Sequence, residues 1–225
     1  MIKVVFIDID NTLLDFNKSS AQAIEKSFIE HNLPYSDHVF NTFIKTNVGL
    51  WQRIERGEFT REQLHQERWN MILKQLQLKY DGVKIEQSFL KYLYECAIPV
   101  PNALDLVKYL AKKYYLCTAS NAPHDQQINR LTVSGIKPYV KQIFTSESLG
   151  ADKPSKTFFD RCFERLDGAE PTECLIIGDS LTADIAGGKN YGLQTIWYNH
   201  NLEPLPQDKI YDYTVNSLME ITKIL

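Results

Sequence analysis

The first thing this 225-residue chain lacks is a basic excess: 25 lysines and arginines stand against 28 aspartates and glutamates, for a net charge of −3. A nucleic-acid binder ordinarily carries a basic face or stripe, and none is legible here, so nucleic acid is not expected as a partner. Cysteine is scarce. Cys96, Cys117, Cys162 and Cys174 form no Cys-x-x-Cys pair and lie in or beside apolar runs, which fits reduced, buried side chains. No apolar run approaches the ~18 residues that mark a membrane span, so no membrane association is expected. The N-terminal run Lys3-Val-Val-Phe-Ile reads directly as a strand, without a basic lead or a cleavage pattern. No signal peptide and a cytoplasmic location are therefore the expectation. What is there, at 44% hydrophobic and 24% charged, is ordinary globular composition, long enough for one large domain or a core with a smaller companion.

Short apolar runs alternate with stretches of helical period. Val4 to Ile7, Tyr115 to Thr118, Gln142 to Thr145, Cys174 to Ile177 and Thr195 to Tyr198 read as strands. Several are apolar on both faces, as buried parallel strands are. Between them Asn102 to Lys113, His124 to Ser134, Ser155 to Leu166 and Thr182 to Asn190 read as helices, and Gly135, Gly168 and Gly192 supply stop signals. This alternation predicts an α/β fold with a Rossmann-like parallel sheet. From about residue 17 to 97 no strand pattern appears. Ser19 to Asn32, Ser36 to Asn47, Thr60 to Leu76 and Ile85 to Cys96 read as helices, and Thr60 with Gln63 has capping-box spacing. The expected organisation is a core of residues 1–15 and 99–225, with an all-helical cap domain of residues 16–98 inserted between the first two strands.

The first strand runs into Asp8-Ile9-Asp10-Asn11-Thr12. Carboxylates two apart on a strand share a side, and the carboxyl end of a parallel strand faces the crevice where such sheets bind ligands. Two like charges so close need a cation or a shared proton. Alone, the pair would serve equally well as a loop start. A second acidic site follows the strand Cys174-Leu-Ile-Ile-Gly, with Asp179 directly after it and Asp184 near a helix start. Hard carboxylate oxygens with no histidine or cysteine beside them suit magnesium rather than zinc. The strand from Tyr115 ends in Ser120 and Asn121, a hydroxyl and a turn suited to a phosphoryl oxygen, although Ser/Asn turns are also common structural elements. Lys153 stands before Pro154 and a helix; by itself it would be an ordinary surface charge.

Taken in order, Asp8-x-Asp10-x-Thr12, Ser120, Lys153-Pro154 and Gly178-Asp179 with Asp184 resemble the four motifs of the haloacid-dehalogenase-like (HAD) superfamily. The resemblance spans the whole chain, because the helical insert falls where that superfamily's type I caps are inserted. It implies Asp8 as the nucleophile that forms an aspartyl-phosphate, and Asp10 as the acid for the leaving oxygen and then the base for water. It implies Mg2+ held by Asp8, Asp179 and the backbone carbonyl of Asp10. Ser120, Asn121 and Lys153 would bind phosphoryl oxygens, with Thr12 and Asp184 in support. These roles suit phosphoryl transfer, which needs in-line positioning and charge stabilisation.

Haloacid dehalogenases of the superfamily lack the second aspartate, and a non-catalytic binding module would be expected to have lost one of the motif residues. Both alternatives are therefore disfavoured. The segment from Asn47 to Leu64, with Leu50-Trp51, Glu55-Arg56-Gly57 and Arg61, followed by Glu67-Arg68-Trp69, resembles the cap of the superfamily's pyrimidine nucleoside monophosphate phosphatases. In that reading Trp51 or Trp69 stacks on a base and Arg53 or Arg68 meets a ribose or phosphate. The competing reading makes Trp51, Leu64 and Trp69 the core of the helical cap. The implied partner is a small phosphorylated metabolite, a nucleoside monophosphate first and phosphoglycolate or a sugar phosphate as alternatives. Monomer and homodimer both remain open.

Overall fold

Four consecutive residues with no exposed side chain, Val4–Ile7 (β1), lie at the centre of the molecule's sheet in a computed structural model that describes residues 1–225. Tyr115–Ser120 (β2), Gln142–Thr145 (β3), Cys174–Gly178 (β4), Gln194–Tyr198 (β5) and Tyr213–Val215 (β6) complete six parallel strands in the order β3-β2-β1-β4-β5-β6. Strand order thus grows outward from β1 in both directions, the arrangement that opens a crevice at the switch point. The register is level there: Ile7 pairs with Thr118 on one side and Ile177 on the other. The residues that follow β1, β2 and β4 therefore emerge on one edge. The last strand, β6, had no alternation to betray it, since only one of its three residues is buried.

Phe6, Ala119, Phe144, Phe158, Phe159 and Ile176 belong to one buried cluster of this unit, with helices Ala103–Lys113 (α5), His124–Val133 (α6), Ser146–Leu149 (α7), Lys156–Phe163 (α8) and Gly187–Tyr191 (α9) around the strands. Cys117 and Cys174 are fully buried, and burial pushes their thiols up to about 12, as inert small side chains. The helix expected over Thr182 to Asn190 has two geometries. Leu181–Ala186 is a wide π turn in which the amides of both Asp184 and Ile185 reach the Ser180 carbonyl, and only then does α9 begin. No helix is long and apolar enough to cross a membrane.

Between β1 and α5 the chain makes only helices: Phe16–Glu30 (α1), Asp37–Glu55 (α2), Arg61–Gln75 (α3) and Gly82–Glu95 (α4). Residues Phe16–Ala97 form one compact unit and the remainder of the chain another. The two crossings lie side by side: Leu14 bridges Pro99 antiparallel, and the Asp15 amide donates to the Ile98 carbonyl at 2.8 Å. Helix α2 runs beyond the Asn47 expected as its end, because Asn47, Leu50 and Ile54 continue one buried stripe at helical spacing. The capping box at the start of α3 is present, with Thr60 Oγ1 accepting from the Gln63 amide at 3.1 Å and Gln63 Oε1 from the Thr60 amide at 2.9 Å.

The centre of this helical unit revises two expectations. Trp69 is fully buried among the rings of Phe28, Phe43 and Phe89, at centroid distances of 5.7, 5.5 and 5.8 Å. It is core and has no face for a base. Arg68, 3% exposed, donates to both carboxylate oxygens of Glu86 at 2.6 and 3.1 Å and to Asn47 Oδ1 at 2.8 Å. Its guanidinium also lies over Phe43 and Phe89. It is therefore the counter-ion of a buried glutamate and cannot meet a ribose or phosphate. Leu64 is buried with Leu50 and Ile54, and Trp51 is half-buried against them. Arg53 lies over the Phe59 ring at 4.5 Å.

Removing one member of such a pair leaves the other charged and buried. Arg68→Met should cost about 3–5 kcal/mol in urea unfolding followed by tryptophan fluorescence. Joint replacement of Arg68 and Glu86 by Met and Leu should recover much of that loss. An Arg68→Met protein that unfolds at the wild-type urea concentration would show that the pair holds nothing together.

Candidate active site

The segment that leaves β1 is a tight loop. The Asp8 amide still donates to the Ile177 carbonyl at 2.8 Å, and the amides of Leu13 and Leu14 fold back onto the Ile9 carbonyl at 2.9 and 2.8 Å. Asn11 sits at the turn with φ of 59°, the left-handed region that asparagine tolerates and a β-branched residue resists. Asp8 and Asp10 therefore both lie past the strand, where its alternation no longer fixes direction, and they have different partners. Thr12 is buried with no hydrogen-bond partner for its hydroxyl.

Lys153 is the hub of one half of the site. Its ammonium, 2% exposed, donates to Asp8 Oδ1 at 2.8 Å, to Asp184 Oδ1 at 2.6 Å and to the Ala119 carbonyl at 2.5 Å. Burial opposes its charge, but Asp184 and Asp8 outweigh it and hold the lysine protonated. The second oxygen of Asp184 accepts from the Ser180 amide at 3.1 Å. Gly178 makes this possible, because any Cβ there would collide with the Asp184 carboxylate. Asn121 spends its amide on the same lysine's main chain, accepting from the Lys153 amide at 2.8 Å and donating to its carbonyl at 2.9 Å. Its side chain is thus engaged in fixing the Lys153 loop.

Asp10 belongs to the other half. Its Oδ2 accepts from Gln127 Nε2 at 2.6 Å and its Oδ1 from Arg130 Nη1 at 2.5 Å. Ser120, 2% exposed, accepts at its hydroxyl oxygen from Gln127 Nε2 at 3.0 Å and from the Ala122 amide at 3.2 Å. Two accepted bonds leave the hydroxyl proton to be donated outward. Sequence reading missed Gln127 and Arg130. Their positions on α6 looked like an ordinary amphipathic helix, and only a polar pair at i, i+3 on its buried face could have signalled them. It also missed Trp197, whose indole N–H donates to the Asp179 carbonyl at 3.0 Å, and His200, whose Nε2 stands 4.0 Å from Asp179 Oδ2.

Asp8, Asp179 and Asp184 bring carboxylate oxygens to within 4.8 Å of one another. One ammonium faces all three. Burial pushes Asp8 up to about 7, with Lys153 pulling down and Asp184 adding to the rise. Asp179 is raised well above the usual carboxylate range by burial, then by Asp8 and Asp184. Such a set is short of positive charge, and its donors are hard oxygens. A divalent hard cation fits it, with Asp8 and Asp179 the carboxylates least satisfied by the protein itself. The arrangement joins an oriented carboxylate, a buried ammonium, a hydroxyl donor and a separate carboxylate at the ends of three adjacent strands.

Comparison with known proteins agrees with this geometry. A family model described as haloacid dehalogenase-like hydrolase matches residues 2–192. The HAD-hydrolase YfnB of Bacillus subtilis is 35% identical over 99% of this chain and 95% of its own. Its magnesium-bound crystal structure superposes with a TM-score of 0.94, covering 100% of this chain and 98% of the other. The pyrimidine 5'-nucleotidase PynA of Streptococcus pneumoniae is 32% identical over 94% of this chain and 92% of its own. The chain belongs to the haloacid dehalogenase-like hydrolases.

Proposed function

We propose that the protein is a magnesium-dependent phosphomonoesterase that works through an aspartyl-phosphate on Asp8, with nucleoside 5'-monophosphates, pyrimidine ones first, as its substrates. The observation that carries the reading is the division of labour between two neighbouring carboxylates: Asp8 paired with the buried Lys153, and Asp10 held apart by Gln127 and Arg130. A nucleophile and an acid–base group are both needed for phosphoryl transfer from an ester with an alkoxide leaving group. The similarity to PynA and the Asn47 to Leu64 pattern support the substrate class.

In this mechanism an Asp8 oxygen attacks phosphorus as the bond to the leaving oxygen breaks, and Asp10 gives that oxygen its proton. Water then attacks phosphorus while Asp10 takes its proton, and the P–O bond to Asp8 breaks, freeing the Asp8 carboxylate and inorganic phosphate. Ser120 donates its hydroxyl proton to a phosphoryl oxygen. Lys153 already has three protein acceptors, so it acts on the transferring group mainly through its charge; a direct bond would exchange with one of the three. What Asn121 can offer the phosphoryl group is main chain, its amide being engaged with Lys153. Magnesium would be held by Asp8, Asp179 and the Asp10 carbonyl, and when bound it offsets the carboxylate charge that would otherwise repel a phosphate dianion.

A screen of nucleoside monophosphates, sugar phosphates and phosphoglycolate with magnesium tests the substrate class. A preference for either of the latter two would move the substrate while leaving the chemistry. Asp8→Asn should lose on the order of 10³-fold or more in kcat while the protein stays folded by circular dichroism. If that variant, shown free of deamidation, keeps a tenth of the wild-type rate, Asp8 is not the nucleophile.

Chelation with EDTA should silence turnover and excess magnesium should restore it, whereas calcium should substitute poorly because of its larger, looser shell. Asp179→Ala should raise the magnesium concentration needed for half-maximal rate and lower kcat together, with the ranking of substrates unchanged. Full activity of the metal-stripped protein would overturn the metal assignment.

A further inference from the structure

Helix α6 carries two polar side chains, one turn apart, on its buried face. Gln127 and Arg130 are both 0% exposed, and residues three apart on a helix share a face. An amide and a guanidinium are costly to bury unless each is paired, and a helix that only had to pack would carry apolar residues at both positions, as it does at Leu131. What they pair with is specific. Each takes a different oxygen of Asp10, at 2.6 and 2.5 Å. Arg130 Nη1 also donates to Gln127 Oε1 at 3.3 Å, bracing the two against each other. The same Gln127 nitrogen that holds Asp10 also holds the Ser120 hydroxyl oxygen at 3.0 Å. Neither residue belongs to the four motifs, yet together they tie the carboxylate after β1 to the hydroxyl at the end of β2.

We propose that Gln127 and Arg130 are positioning residues for the leaving-group step, fixing the Asp10 carboxylate and, through Gln127, setting its place relative to Ser120. The proposal rests on the reading of Asp10 as the group that serves the leaving oxygen. Asp10 is one-quarter exposed at its side chain, and an aspartate with that freedom would otherwise divide its time among rotamers. Proton transfer needs heavy atoms within hydrogen-bond reach at the moment the P–O bond breaks, so a protonated carboxyl held at both oxygens, its proton lying on the side away from Gln127 and Arg130, avoids that loss. Gln127 also occupies Ser120 as an acceptor, which turns the hydroxyl proton toward the phosphoryl group and away from Asp10. The two ends of the reacting phosphate ester, its phosphoryl oxygens and its leaving oxygen, are thereby addressed from one helix.

The test compares two leaving groups. p-Nitrophenyl phosphate releases an anion stable without a proton; uridine 5'-monophosphate releases an alkoxide that requires one. Comparing kcat/KM confines the readout to steps up to phosphorylation of Asp8, so the later attack of water does not enter. Gln127→Met keeps length and removes the donors; Arg130→Lys keeps charge and shortens the reach, and serves where the first variant fails to fold. Each is made alone and on Asp10→Asn. General acid catalysis contributes about 10²–10⁴-fold, and imperfect positioning forfeits part of it. We therefore expect kcat/KM for the nucleotide to fall roughly 10- to 100-fold, carried by kcat with KM little changed, and kcat/KM for the nitrophenyl ester to fall less than about 3-fold. On the Asp10→Asn background neither substitution should lower the nucleotide rate further. Equal losses on both substrates, additive losses on Asp10→Asn, or folded variants with wild-type nucleotide rates would overturn the proposal. A wild-type protein that turns over neither substrate, or an Asp10→Asn variant impaired equally on both, would instead overturn the reading of Asp10 beneath it.

Discussion

One ammonium buried among three carboxylates sets the terms for the rest of this molecule. Lys153 is held by Asp8, Asp184 and a main-chain carbonyl at the carboxyl edge of the sheet, and Asp179 adds a third acidic oxygen within reach. With all three carboxylates ionised, that balance leaves an excess of negative charge. It suits hard positive charge, and it must be walled by structure rigid enough to keep like charges together. The wall is the sheet: β1 and β4 have no exposed residue in their spans, and their level register with β2 brings the ends of three strands to a single edge.

Around that edge the supporting contacts are mostly main chain. Asn121 clasps the Lys153 backbone at both its amide and carbonyl, the Ser180 amide braces Asp184, and Trp197 holds the Asp179 carbonyl. The Lys153 loop, Asp184 and the Asp179 main chain are thus oriented by amides and an indole, groups that do not titrate in the working range.

Much of this was legible in the sequence, for particular physical reasons. A strand buried on both faces reads as an unbroken apolar run, so β1, β2 and β4 announced themselves, and the polar residues that interrupt such runs at their ends stood out as Asp8, Ser120 and Asp179. The helical insert was legible because four stretches of helical period, one opening with the Thr60–Gln63 capping box, leave no period-two alternation. What failed was anything decided by which partner a polar side chain finds. Trp69 read as a base contact or as interior and Arg68 as a ribose or phosphate contact, and only the position of Glu86 and three aromatic rings makes both interior. Gln127 and Arg130 carried no signal within the helix expected over His124 to Ser134, because nothing local says that residue 10 lies beneath them. Asn121 sat beside the right serine but spends its amide on a residue 32 positions away.

The antiparallel bridge between Leu14 and Pro99 gives the helical insert the topology of a hairpin loop. From the sheet's side, the 82 residues of Phe16–Ala97 leave and return through two adjacent strands of chain, no farther apart than the arms of a two-residue turn would be. Lengthening a loop whose ends are already pinned costs only about 0.6 kcal/mol for each doubling. The sheet is therefore nearly indifferent to what is spliced in at that point: a larger, smaller or differently folded insert leaves the strand register, and the charges arrayed along its edge, where they are. A lineage could exchange the whole segment in one genetic event and keep the catalytic edge intact, which makes this junction the place where diversification of such a protein is least expensive.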